Sequence, residues 1–205
     1  MAGIGAGIDS YYEYLMKSYA LLGNTRYLRM FETSYKAVMK RMRYQQPPLF
    51  LNVHMDSAEV HAVRCCILHR YLVYLTVLVF TLQVANHWID SLAAFWPGLQ
   101  VLYGDVAAAA NTHEAYYALW RKFSAIPERY NWQNNAPEVF TYPLRPELVE
   151  STYILWRATK DPYYRHVGVL LLRGLEAQAR AKCGYATLHD VRQVRFQLWV
   201  VNNLC

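Results

Sequence analysis

Two carboxylates stand where a hydrolase could use them. Asp9 is followed by Ser10 at the head of an aromatic-rich run, and Glu147 follows Pro146 at the head of another. Serine and aspartate suit helix caps and proline suits the first helical position, so both acids are expected at or beside a first helical turn. There the helix dipole and the unpaired amides favour the ionised carboxylate, the state a general base needs to take a proton from water. Glycoside hydrolysis uses two carboxyl groups, and an inverting enzyme holds them roughly 6.5–9.5 Å apart with water between. Arg145 lies two positions before Glu147, and Glu150 one turn after it on the same face. Two acids and a guanidinium at one helix end could hold a sugar, although an acid at a helix start is most often a cap.

The elements that must position these groups are helical. An acid-serine pair occurs three times, as Asp9-Ser10, Asp90-Ser91 and Glu150-Ser151, each in an apolar helical setting. Ser10-x-x-Glu13 has the form of a capping box, and Gly23 can stop the helix it opens. A second helix follows from about Arg26, with Tyr27, Met30, Phe31, Ser34, Val38 and Met42 on one face. Gly104 can stop the helix after Asp90-Ser91, and Asp105 caps an alanine-rich helix to Phe123. A further pair is expected over Arg145–Thr159 and from Asp161-Pro162 to about Lys182. No alternating pattern is long enough to propose a sheet, with Leu49–Val53 at most a short extended piece.

The intervals between the pairs are unequal. Asp9 and Asp90 lie 81 positions apart, Asp90 and Glu150 60. Removing a foreign-looking stretch, His61–Val84, brings the first interval close to the second, a period that fits paired helices in a solenoid or closed toroid. That stretch holds the uncharged run Tyr71–Leu82, shorter than the about 20 residues that span a bilayer, so membrane association has no full-length span behind it. Val60 and Gln83 allow intron-boundary codons, and Gln193-Val194-Arg195 allows a second donor junction, after which the tail Val194–Cys205 loses every earlier pattern. The expectation is an intron read in frame; genomic DNA with continuous exon sequence across both junctions would overturn it.

Composition narrows the function class. Of 205 residues 55% are hydrophobic and 18% charged, which fits a well-buried chain and not a disordered one. The formal charge is +6, but the Lys and Arg residues are scattered at helical spacing and form no basic stripe, so nucleic acid is not an expected partner. Eighteen tyrosines and six tryptophans can stack on sugars, although core is the ordinary use of most of them. The four cysteines have no zinc spacing, and Met1–Ile8 is too short and uncharged for a signal peptide.

The strings GAGIDSYYEYLMKSY, WIDSLAAFWPGLQVLYGDV, HEAYYALWRKFSAIPERYNWQ, YPLRPELVESTYILWRATKDPYY and KCGYATLHDVR resemble glycoside hydrolase family 47, most of all its endoplasmic-reticulum degradation-enhancing alpha-mannosidase-like branch. The resemblance covers the chain, as a partial catalytic domain over residues 1–193, apart from His61–Val84 and the tail. It implies an all-α, partial (α/α)7 toroid built of helical hairpins. It implies an inverting, calcium-dependent α-1,2-mannosidase that trims high-mannose N-glycans of misfolded glycoproteins in the lumen of the endoplasmic reticulum. It carries a catalytic role to Asp9 and the role of base to Glu147, and places Glu13, Glu128, Arg145 and Glu150 around the sugar. Phe95, with Trp96, matches an aromatic turn before Pro97-Gly98. The acid of the pattern falls upstream of Met1 and the threonine-bearing calcium loop beyond Arg192, so calcium is implied without a ligand from these residues. Cys183 resembles a cysteine that could be disulfide-bonded, with no evident partner because Cys65, Cys66 and Cys205 fall in the foreign segments. A toroid short of hairpins leaves apolar faces uncovered, so the chain alone is expected to be inactive and poorly stable. The same resemblance leaves room for a recognition factor that binds glycans or misfolded chains without turnover, and more distantly for a helical scaffold.

Overall fold

A computed structural model describes residues 2–44, 48–54 and 85–193. The stretch His61–Val84, the tail from Val194, and Cys65, Cys66 and Cys205 lie outside the described residues, and so do the insertion, read-through and apolar-run readings attached to them.

Six α-helices are described: α1 (Asp9–Leu22), α2 (Thr25–Arg41), α3 (Trp96–Tyr103), α4 (Val106–Phe123), α5 (Glu147–Thr159) and α6 (Pro162–Gln178). A 3-10 turn over Ser91–Phe95 runs directly into α3. The helices pack as consecutive hairpins, α1 with α2, α3 with α4 and α5 with α6, and α5 also lies against the 3-10 turn, α3 and α4. The core faces follow helical spacing: Leu148, Ser151, Thr152 and Leu155 on α5, and Tyr164, Val167 and Leu171 on α6. On α2 the seam is turned slightly from the expected one. Tyr35 is buried with Phe31, Val38 and Met42, whereas Met30 is 38% exposed and the Ser34 hydroxyl donates back to the Met30 carbonyl. An aromatic ring gains more from burial than a serine that can satisfy itself on its own helix.

The helix stops are where glycine was expected. Gly23 ends α1 at φ 66° and Gly104 ends α3 at φ 102°, left-handed geometry that a glycine adopts at no steric cost. Asp105 caps α4 by accepting from the Ala108 amide, and Asp161 caps α6 by accepting from the Tyr163 amide with Pro162 in the first turn. The capping box at Ser10 does not form. Helix α1 begins at Asp9, two residues before the Tyr11 start that a Ser10 cap would give, so Ser10 is already inside it, and the Gly5 carbonyl accepts from the Ile8 and Asp9 amides instead. Glu13 is therefore free to pair along the helix with Lys17, at 2.5 Å.

Short sheets were not foreseen. Strands β1 (Arg43–Tyr44) and β2 (Leu49–Phe50) form one pair; β3 (Trp88–Asp90), β4 (Arg129–Asn131) and β5 (Ala136–Val139) form an antiparallel sheet in that order; β6 (Arg180–Ala181) and β7 (Gly184–Tyr185) form the last pair. Strands of two to four residues give no legible alternation. The β4–β5 turn is closed by Asn131, whose Oδ1 accepts from the Gln133 and Asn134 amides. Leu49–Val53 is extended as expected, through β2 and a bridge from Val53 to Ala2.

Between α4 and α5 lies a fully buried His113. The Thr152 hydroxyl donates to the Leu148 carbonyl at 2.7 Å, so it accepts from His113 Nε2 at 2.7 Å, and Nδ1 is left without a partner among the described residues. This places a hydrogen on Nε2, and burial disfavours a second on Nδ1, pushing the pKa of the ring down from 6.5 to about 4. Between those values the unfolded chain takes a proton that the folded chain refuses. Stability from this site is full above pH 6.5 and falls by up to about 3 kcal/mol as the pH drops to about 4, then levels. Urea melts at pH 7.5 and 4.5 should therefore show a larger loss for the wild type than for His113→Gln; equal losses would contradict the assignment.

Candidate active site

The candidate acids gather at the amino-terminal ends of α1 and α5. Glu128, just before β4, accepts a two-pronged bond from Arg145: Nε to Oε2 at 3.0 Å and Nη2 to Oε1 at 2.5 Å. The Ser91 hydroxyl donates to the same Oε2 at 3.1 Å, and the Ser91 amide donates to the Glu128 carbonyl. This fork holds the Glu128 carboxyl below its usual range, with the Arg145 bonds as the main cause. Arg145 is kept charged in return, chiefly by Glu128 and further by Glu147 and Asp9, which places all three acids within its field. The loop carrying Arg145 is fixed by Tyr142, a buried ring whose hydroxyl donates to the Arg145 carbonyl at 3.0 Å.

Glu147 is the first residue of α5, with Pro146 as its cap, and is half-buried. Its Oε2 has no partner among the described residues. The expectation that the helix end would favour its ionised form needs correction. Burial raises its pKa, more than its own backbone amide and Arg145 lower it, and Glu128 and Glu150 push it further up. A carboxylate held short of its solvation is a stronger base for water. Because the folded pKa is raised, stability from this group is complete below its ordinary pKa and is lost as pH rises through the folded value. Glu147→Gln, which carries no charge to desolvate, should melt above the wild type at neutral pH and lose that advantage near pH 4; a lower melting temperature at both pH values would count against a strained carboxylate.

Asp9 is the first residue of α1 and is half-buried. Glu13 and Glu150 meet across the α1–α5 contact through one cation, Lys17, at 2.5 Å and 3.8 Å. Phe95 is placed in the core, 6% exposed, with its ring edge against Trp96 at 6.0 Å. Glu128 and Arg145 are thus directly paired, Glu147 and Asp9 lie within the field of the same guanidinium, Glu13 and Glu150 share Lys17, and Phe95 is buried in the core. The resemblance implies calcium without a ligand from these residues. Among the described residues no three carboxylate, imidazole or thiol groups converge to hold a metal, and Glu13, Glu128 and Glu150 are each engaged by a cation of the chain. Cys183 is a free, exposed thiol among the described residues.

The family model for glycosyl hydrolase family 47 matches residues 1–198. The chain belongs to that family. It is 43% identical over 197 residues to ER degradation-enhancing alpha-mannosidase-like protein 3 of Xenopus laevis, covering 93% of this chain and 18% of that protein. It is 38% identical over 199 residues to alpha-mannosidase I MNS5 of Arabidopsis thaliana, covering 96% of this chain and 30% of the relative. The structure resembles an alpha-1,2-mannosidase from Trichoderma reesei with a TM-score of 0.67 at 19% identity, covering 94% of this chain and 42% of that one. The chain therefore spans less than a third of the length of these curated relatives, and its hairpins are part of an (α/α)7 barrel.

Several residues that build the site carried little signal. Lys17 is one of many scattered cations in the sequence. Asp90 and Ser91 were visible as a pair, but Asp90 looked like a cap and makes no side-chain cap bond.

Proposed function

We propose that this chain is part of an α-1,2-mannosidase-like protein of the endoplasmic-reticulum lumen that trims high-mannose N-glycans on misfolded glycoproteins and so commits them to degradation. The observation that carries this reading is the two-pronged Arg145–Glu128 bond, with Glu147 and Asp9 within the field of the same guanidinium. The names and family of the similar proteins support it in the same direction.

In this reading Arg145, steadied by Glu128, offers donors to sugar hydroxyls, and Glu147 takes the proton of the attacking water. Its raised affinity for that proton, caused by burial, suits it to the role. Asp9 holds negative charge next to the developing oxocarbenium ion. Water attacks the face opposite the leaving oxygen, so the product is inverted. The leaving oxygen is protonated by an acid, and calcium is held by ligands, that we place outside these 205 residues. On its own the chain keeps large apolar side chains in water, Leu21 at 84% and Tyr14 at 67% exposure, so it should be weakly stable and release no mannose.

The test is mannose release from a high-mannose N-glycan by the full-length protein. Wild type should turn over, Asp9→Asn and Glu147→Gln should each lose about 100-fold or more, and the purified 205-residue chain should release none. Release by the short chain would overturn its proposed inactivity. The acids already neutralised by Lys17 and Arg145 favour one second reading, a recognition factor that binds glycan without turnover. It would be supported if wild type released no mannose and both variants still promoted degradation of client glycoproteins.

A further inference from the structure

The segment entering Asp9 is laid over a second acid. Residues 2–8 contain Gly3, Gly5 and Gly7. Ile4 points into the core, 2% exposed, while its neighbours Gly3 and Gly5 lie flat on polar side chains: a side chain on Gly3 would strike the Asn52 amide, and one on Gly5 the Asp90 carboxylate. Asp90 Oδ2 accepts from the Ala6 amide at 3.1 Å. Its other oxygen faces Arg129 Nε at 3.6 Å, across the β3–β4 ladder where the two residues are direct partners. Arg129 is itself pinned, its guanidinium 4.1 Å from the centre of the Trp88 ring. Asp90 is 8% exposed, so its charge is committed to these two partners.

The hold passes on without a gap. Gly5, seated on Asp90, gives its carbonyl to the Ile8 and Asp9 amides, and those bonds start α1 at Asp9. The next residue after Asp90, Ser91, holds Glu128 and through it Arg145. One dipeptide at the end of β3 therefore touches both halves of the candidate site.

We infer that Asp90 is a positioning residue: by holding Gly5 and Ala6 it sets the place of the Asp9 carboxylate relative to Arg145. The inference rests on Asp9 being a site carboxylate. It assigns Asp90 no contact with substrate. A buried charge accepting an amide bond is costly to remove, and a misplaced catalytic group loses rate steeply with small shifts.

Asp90→Asn keeps the size and removes the charge. Hydrogen–deuterium exchange of the full chain should then show amides of residues 5–9 exchanging about tenfold faster or more, with α5 unchanged. Gly5→Ala, which pushes the same backbone off Asp90 from the other side, should do the same. In the full-length protein both variants should lower kcat on a high-mannose N-glycan by about tenfold or more while KM stays within about twofold. Unchanged exchange at residues 5–9, or an equal rise across α5, overturns the inference, as does a loss confined to KM. If the wild-type protein releases no mannose, the proposed function fails, and the exchange data still decide whether Asp90 holds this backbone.

Discussion

The structure is organised around one indole. Trp96 is fully buried at the junction of the 3-10 turn and α3, with Tyr35 stacked on it at 5.7 Å and the edges of Tyr12, Phe50 and Phe95 around it at 5.4–6.0 Å. Those rings come from α2, α1, β2 and the 3-10 turn, so one side chain fixes four elements at once. Truncating a core aromatic of this size costs about 3–5 kcal/mol. Helix α5 is then brought against the same turn by Ser151, whose hydroxyl donates to the Ala94 carbonyl at 2.6 Å and accepts from the Gly98 amide at 2.9 Å. Glycine at position 98 suits that approach, because a Cβ there would press on Ile154 and Ser151 at 3.0–3.4 Å. The distance between α1 and α5, and hence between Asp9 and Glu147, follows from these contacts.

Electrostatics divides the acids of the site into two kinds. Glu13, Glu128 and Glu150 are matched by Lys17 and Arg145, and the Arg145 fork holds the Glu128 carboxyl below its usual range. Glu147 is left partly buried with one oxygen unpartnered and its proton held more tightly. A frame of matched charges around one strained carboxylate is a common way to localise reactivity, since the frame supplies field without competing for the proton.

The helical hairpins, the glycine stops at Gly23 and Gly104, the caps Asp105 and Asp161, and the grouping of Arg145, Glu147 and Glu150 were legible because local spacing and cap chemistry encode them. The quoted strings carried the family. Less was legible where the cause is tertiary. The box at Ser10 reads well in isolation, yet a carbonyl from Gly5, held in place by a residue more than 80 positions away, opens the helix first. The helix end at Glu147 argues for an ionised acid, but the amount of protein over the side chain decides the sign, and no local pattern reports it. Strands of two to four residues are likewise products of their surroundings. The serines of the recurring pair show the same limit: Ser10 is exposed, while Ser91 and Ser151 are buried joints between distant segments.

The long reach of these joints has a consequence for how the site is made. Within these residues Asp9 and its helix are made before the groups they rest on, with α2 close behind, so the α1–α2 hairpin can pair before those groups are synthesised. Asp90 follows 84 residues after Ala6, and Ser151 comes 53 residues after Gly98. Until then the backbone before Asp9 has no acid to rest on, and the charges around Arg145 do not exist. The α1–α2 hairpin therefore precedes the charges it will carry, and a nascent chain halted between α2 and α5 would display an apolar hairpin without the machinery it is meant to serve.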